Sequence, residues 1–219
     1  MIIPTLNGSK YIEQALDSVL RQIDRHDQVI VVDNGSSDAT PEILKRYQPR
    51  VTVLHQTRRG PSAARNAGME AADRDFIAFL DHDDFWPEGR HAAFLRCIAA
   101  SPACNSVVGR LRIIAEDAPE ATAYEAWDGQ IDAKVLPTCL ISRDLIQSVG
   151  DFDETLHHGE DNDYYVRLVE AGFRPKACDV DALWYRRHAS NLTNEAPDKT
   201  RIIMDLVRRR MARRRAEPE

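Results

Sequence analysis

Phe76-Ile77-Ala78-Phe79-Leu80-Asp81-His82-Asp83-Asp84 is the stretch on which the fold turns. Five apolar residues read as a fully buried strand, and the polarity then inverts at once into three carboxylates and an imidazole. Burying unpaired carboxylates costs several kcal/mol each, so such a cluster calls for a counter-charge. A divalent cation supplies one, because hard oxygen ligands suit Mg2+ or Mn2+ and these ions share phosphate oxygens. The stretch therefore points to metal-assisted chemistry on a phosphorylated substrate at the carboxyl end of a strand. The plainer alternative is a polar loop in which Asp83 or Asp84 caps the next helix.

Outward from this run, apolar periodicity alternates between strand and helix. Ile2-Ile3 opens a short strand, and Ile12, Ala15, Leu16, Val19 and Leu20 mark one face of a helix from Tyr11 to about Ile23. Residues 29–32 form a buried strand ending in Asp33-Asn34-Gly35-Ser36-Ser37-Asp38. Thr40 as N-cap with Pro41 behind it predicts a helix to about Tyr47. Residues 51–54 make a third strand, 62–72 an alanine-rich helix, and about 88–100 a further helix. This βαβαβαβ order predicts a parallel sheet covered by helices, with right-handed crossovers. Ligands of such sheets sit outside the carboxyl ends of the strands. Pro4-Thr5, Asp33-Asn34, residues 58–60 and residues 81–83 all fall there, so one cleft is expected to gather them.

The second half is less regular. Residues 115–133 read as a long acidic loop with Trp127 in it, and 135–141 as a return to the sheet. A helix is expected over 160–171, with Tyr164, Tyr165, Leu168 and Val169 inward, and a basic amphipathic one over 198–213.

The totals bound the class. A chain of 219 residues, 43% hydrophobic and 29% charged, has the make-up of one soluble globular domain with a short appendage. No run reaches the roughly 18 apolar residues of a membrane helix. The opening Met-Ile-Ile-Pro-Thr-Leu-Asn-Gly lacks the basic and apolar regions of a secretory signal, so a cytoplasmic protein is expected. Cys97, Cys104, Cys139 and Cys178 show no metal or redox spacing and read as reduced core thiols. Net charge is −6, yet residues 199–215 hold Lys199 and seven arginines against Asp205 alone. With an acidic body and no recognition motif, nucleic acid is not an expected partner. The basic segment reads as a solvated terminal helix or as a peripheral contact with an anionic membrane.

Taken together, the motifs resemble those of family 2 inverting glycosyltransferases, which have the GT-A fold. The matching segments are IIPTLNG (2–8), VIVVDNGSSDAT (29–40), RRGPSAARNAG (58–68) and FLDHDDFWP (79–87), then VGDFDETL (149–156), GEDNDYYVRLVEAGF (159–173) and YRRHASNLT (185–193). The resemblance implies an α/β GT-A fold: a Rossmann-like, mostly parallel sheet flanked by helices, in a single domain over 1–197. Residues 1–110 would bind the nucleotide-sugar, 111–197 would carry the acceptor and catalytic half, and 198–219 would form the basic helix and tail. It further implies a nucleotide-diphospho-sugar donor, a UDP-sugar by preference, and a saccharide, lipid-linked or protein acceptor. Pro4, Thr5, Leu6, Asp33 and Asn34 would line the nucleotide pocket, with Leu6 where an aromatic residue often stands. Arg65, Asn66, Asp81 and His82 would complete the donor site. Asp83 would be the main ligand of Mn2+ or Mg2+, with Asp81 and His188 beside it, and Asp161 would be the catalytic base.

The residue types suit that chemistry. A cation bridging the two phosphates absorbs the charge that develops on the leaving group. A single ionised carboxylate opposite it can take the acceptor's proton, a displacement that inverts the anomeric centre. Other readings stay open at this level. Glu160-Asp161 also suits the first turn of any helix, His188 could be a surface histidine, and Arg65 could merely cap or pair. His157 and His158 read as loop residues beside the base. An aspartyl-phosphate phosphatase fits Asp81-His82-Asp83 superficially, but Phe85 stands where Thr or Val belongs. A first strand shorter than the family's usual one also admits a non-catalytic nucleotide-sugar-binding module, or a subunit of a larger complex.

Overall fold

The computed structural model describes residues 1–58, 60–115, 118–122, 136–156, 158–191, 204, 206–211 and 213. Three parallel strands, β1 (Ile2–Thr5), β2 (Ile30–Asp33) and β3 (Thr52–His55), lie side by side in that spatial order. Their crossovers are α1 (Ile12–Leu20) and α2 (Thr40–Tyr47). The middle strand is buried on both faces, the usual state of a parallel sheet. Val29 and Val31 face the cluster that holds Leu16, Val19 and Leu44, whereas Ile30 and Val32 face Ala64. Ala64 belongs to α3 (Pro61–Ala71), which covers the other side.

The central run then joins this sheet to a second one. β4 (Phe76–Ile77) is short, but the chain beyond it continues beside β1: Ile2 N donates to Ala78 O at 2.9 Å and Leu80 N to Ile2 O at 3.1 Å. After α4 (Arg90–Ala99) comes the long β5 (Ser106–Ala115), to whose far end β6 (Ala118–Thr122) pairs antiparallel. A 3-10 turn (Leu136–Thr138) leads into β7 (Cys139–Ser142), which sits between β4 and β5 and is antiparallel to both. Then α5 (Arg143–Val149) and α6 (Glu160–Glu170) precede β8 (Lys176–Arg187), which runs parallel to β5. The expected parallel α/β sheet is therefore present, extended by antiparallel members.

Three local readings need correction, the first of them Val169, which was expected inward on α6 and is 43% exposed. Thr40 is not the N-cap of α2. Ala39 stands at the N-cap, and Asp38 before it binds the first helical residue: its carboxylate accepts the Thr40 N–H at 3.0 Å and the Thr40 hydroxyl at 2.6 Å. Residues 118–122 are strand rather than loop, because the open edge of β5 offers backbone partners that override the weak strand propensity of Ala, Pro and Glu. Trp127, His157 and Arg59 lie outside the described residues.

Close packing seats α3 on β1. A Cβ at Gly68 would fall 2.4 Å from Ile2 Cγ2, a side chain that is itself fully buried. Gly68→Ala is expected to destabilise the protein by about 1–3 kcal/mol through overpacking, read as a lower midpoint in thermal or urea unfolding.

The basic terminal segment is helical at residues 204, 206–211 and 213, and three of its described arginines pair with acids of the domain. Arg209 pairs with Asp153, Arg210 with Glu170 at 2.9 Å, and Arg213 with Asp163 at 2.9 Å. Asp163 is buried and also takes Arg167 Nε at 2.9 Å. Part of the charge that suggested an anionic membrane is thus satisfied within the domain. No helix among the described residues is long and apolar enough to cross a membrane.

Candidate active site

The strand ends meet as expected. Asn34 N donates to Thr5 O at 2.8 Å, and its side-chain amide donates to Gly60 O at 3.0 Å. A Cβ at Gly8 would strike Thr5 Oγ1 at 2.5 Å and His82 Cδ2 at 2.7 Å, so the 2–8 segment lies directly against the 81–84 turn. Pro4, Thr5, Asp33 and Asn34 are all buried, while Leu6 stands 46% exposed at the rim. Beside it Asn7 adopts φ +52° and braces the next strand end: its N–H donates to Ser36 Oγ and its side-chain oxygen accepts from Ser37 N, both at 2.8 Å. Asp33 accepts from Ser36 N at 3.0 Å and lies 3.4 Å from His55 Nδ1. Thr5 Oγ1 and Asn34 Oδ1 are buried polar atoms without a hydrogen-bond partner, which fits a polar ligand seated there.

Asp83 and His188 meet across a separation of 105 residues, with Nε2 and Oδ2 3.0 Å apart. Strand β8 brings the imidazole to this point, and the 81–85 turn is laced to it. Phe85 and Trp184 exchange backbone hydrogen bonds, Arg186 N donates to Asp84 Oδ1 at 2.8 Å, and Arg186 Nε donates to Asp83 O at 2.9 Å. Tyr11 stacks on the His188 ring, with centroids 4.8 Å apart, and Asn191 Nδ2 donates to Asp83 Oδ2 at 3.2 Å. Asp84 is buried, and burial together with Asp83 and Asp81 raises its pKa well above the ordinary value.

Arg65 links this turn to α6. Its guanidinium, 8% exposed, donates to Asp81 Oδ1 at 2.9 Å and to Glu160 Oε1 at 3.0 Å. Burial would lower its pKa, but Asp81, Glu160 and Asp161 together hold it above the ordinary arginine value. Asp161 follows Glu160 in the first turn of α6, and its Oδ1 accepts the Asn162 N–H at 2.8 Å. Burial, and then the neighbouring Glu160, raises its pKa to about 6, against the pull of Arg65.

Of the residues named from sequence, Thr5 and Asn34 meet at the strand ends, Asp83 meets His188, and Asp81 meets Arg65, whose other partner, Glu160, adjoins Asp161. Asn66 stands apart. Its side chain donates to Phe152 O at 3.0 Å and accepts from Phe152 N at 2.8 Å, so it braces the 151–154 loop. Sequence reasoning missed Tyr11 as the ring stacked on His188, Arg186 as the brace of the Asp83–Asp84 turn, and Glu160 as the partner of Arg65. An acid at a helix start and an aromatic before a helix carry no mark of a distant partner. Among the described residues no group of three or more His, Cys, Asp or Glu is arranged to hold a metal. The available donor set is Asp83 with His188, and it fits a cation that takes one or two protein ligands and completes its shell with water and phosphate.

Comparison with known proteins gives the family and the fold. A family model described as glycosyl transferase family 2 matches residues 1–149. A pre-mycofactocin glycosyltransferase of Mycobacterium tuberculosis (strain ATCC 25618 / H37Rv) is 34% identical over 191 residues, covering 80% of this chain and 39% of that protein. The putative teichuronic acid biosynthesis glycosyltransferase TuaG of Bacillus subtilis (strain 168) is 32% identical over 138 residues, covering 57% of this chain and 54% of that one. Residues 1–349 of S. aureus TarS, solved in complex with UDP-GlcNAc, share the fold with a TM-score of 0.76 at 19% identity, over 90% of this chain and 60% of that one. The chain spans about two fifths of the length of the mycobacterial relative. Its sheet, its helices and its strand-end cleft are those of the GT-A fold, and the chain belongs to glycosyl transferase family 2.

Proposed function

We propose that this domain transfers a sugar from a nucleotide-diphospho-sugar to an acceptor hydroxyl with inversion at the anomeric carbon. The observation that carries the reading is the Asp81–Arg65–Glu160 bridge, which joins the turn bearing Asp83 to the helix bearing Asp161. A carboxylate with a pKa of about 6 is ionised at neutral pH and basic enough to take a proton. In the reaction assigned here the acceptor O–H loses its proton to Asp161, and the oxygen bonds to the anomeric carbon. The bond from that carbon to the diphosphate breaks, and the nucleoside diphosphate leaves. A Mn2+ or Mg2+ ion held by Asp83 and His188 would neutralise the diphosphate. Asp33, Asn34, Thr5 and the rim at Leu6 would hold the base and ribose. TarS, of the same fold, was solved with UDP and with UDP-GlcNAc, which supports a UDP-sugar donor. The acceptor class is a saccharide, a lipid-linked glycan or a protein.

A thermal-shift screen of nucleoside diphosphates and their sugars, with and without Mn2+, tests the donor side. At a hundredfold excess over Kd the donor should add about 2.7 kcal/mol of stability, which is roughly 5–10 °C. Mn2+ should enlarge that shift in the wild type and leave it unchanged in Asp83→Asn. A screen in which no diphosphate moves the midpoint removes the reading.

A further inference from the structure

Two of the four cysteines, remote in sequence, meet in the fold. Cys97 lies in the last turn of α4 and Cys178 near the start of β8, and their Sγ atoms are in contact at 2.6 Å. Cys178 is buried against the Ala93 carbonyl, which its thiol reaches at 3.6 Å, and Cys97 is only partly buried. The remaining two are placed differently: Cys104 lies in the turn before β5, and Cys139 is buried at the start of β7. The sequence offers no hint of this pairing, since the two cysteines are 81 residues apart with no motif around either.

We propose that Cys97 and Cys178 form a site of covalent modification, an intramolecular disulfide that tethers α4 to β8. The oxidant is a low-molecular-weight disulfide, R–S–S–R. The Cys97 thiolate attacks one of its sulfurs, forming a mixed disulfide and releasing RS−. The Cys178 thiolate then attacks the Cys97 sulfur, closing the protein bond and releasing a second RS−. The two thiol protons end on the two released RSH molecules, so two cysteines are oxidised and one disulfide is reduced. The order follows from exposure, because Cys97 is the sulfur a small reagent can reach. Burial, and next the Cys97 thiol itself, pushes the Cys178 thiol up to about 12, so it is a poor attacker of reagents in solution, and it is its contact with the Cys97 sulfur that allows the second, intramolecular step. Closing a loop of this length also restricts the unfolded chain, so the oxidised protein should be the more stable form.

The test is thiol counting on the intact chain before and after equilibration with oxidised glutathione, followed by peptide mapping. Reduced protein under denaturing conditions should give four titratable thiols and oxidised protein two, with a Cys97–Cys178 cross-linked peptide and a higher midpoint of thermal unfolding. Cys104→Ser should still form the cross-link, and Cys97→Ser should lose it. Four thiols after oxidation, or a glutathione adduct that stays on Cys97 without closing, would overturn the proposal. The readout does not depend on transferase activity, so it stands or falls separately from the function proposed above.

Discussion

Asp161→Asn is expected to lower the rate of sugar transfer by ~10²–10⁴-fold while the nucleotide-sugar still binds. The asparagine keeps the shape and the hydrogen bond to the Asn162 N–H, but it cannot accept a proton. Nothing on the donor side depends on it directly, because Asp83, His188 and the strand ends are held by other contacts. The wild-type pH profile offers a second check. Burial and Glu160 raise the Asp161 pKa to about 6, so the base is charged above that pH and protonated below it. The rate should therefore fall as pH drops through about 6, and the residual rate of Asp161→Asn should show no such limb. Glu160 cannot substitute, because Arg65 already occupies its carboxylate. Near-normal turnover by Asp161→Asn, measured with the same donor, would falsify the assignment of the base.

How far the sequence could be read depended on the range of each interaction. The first three strands and their helices announce themselves by local periodicity, and each strand ends in a sharp reversal of polarity that marks the cleft. Asp83 could be singled out for the same reason. The supports around it could not, because they come from chain more than a hundred residues away: Arg186 reaches Asp84 across 102 residues and Asn191 reaches Asp83 across 108. Strand β8 went unrecognised because Lys176–Arg187 mixes charged and apolar residues without strict alternation. It is half-buried on β5 and exposed elsewhere, so its pattern reports two environments at once. The terminal helix was legible as basic and amphipathic. That Arg209, Arg210 and Arg213 pair with Asp153, Glu170 and Asp163 was not, since sequence shows the charge of a face but not what lies opposite.

Glu160 shows the same limit more sharply. In sequence it is one of several acids in a first turn, where the helix dipole favours negative charge. In the fold its partner is Arg65, 95 residues earlier, and that arginine also holds Asp81. One buried cation therefore serves a carboxylate of the 81–84 turn and one of α6. Arg65→Met keeps an unbranched apolar stem but removes the charge, leaving Glu160 and Asp81 without their counter-ion. Breaking a buried ion pair by deleting one partner costs roughly 3–5 kcal/mol; because Asp81 is 35% exposed, the lower end, about 3 kcal/mol, is expected. That corresponds to roughly 6–12 °C in thermal unfolding of a domain this size. The catalytic consequence is separable from the loss of stability. Arg65 is the charge that lowers the Asp161 pKa against burial and Glu160, so without it the acid limb of the rate profile should move above pH 6. Arg65→Lys restores the charge but not the two-armed geometry that reaches Asp81 and Glu160 together, so the limb should return toward its wild-type position while stability recovers only in part. An Arg65→Met enzyme whose acid limb stays in place, at a temperature where it remains folded, would show that the arginine braces the cleft without tuning the base.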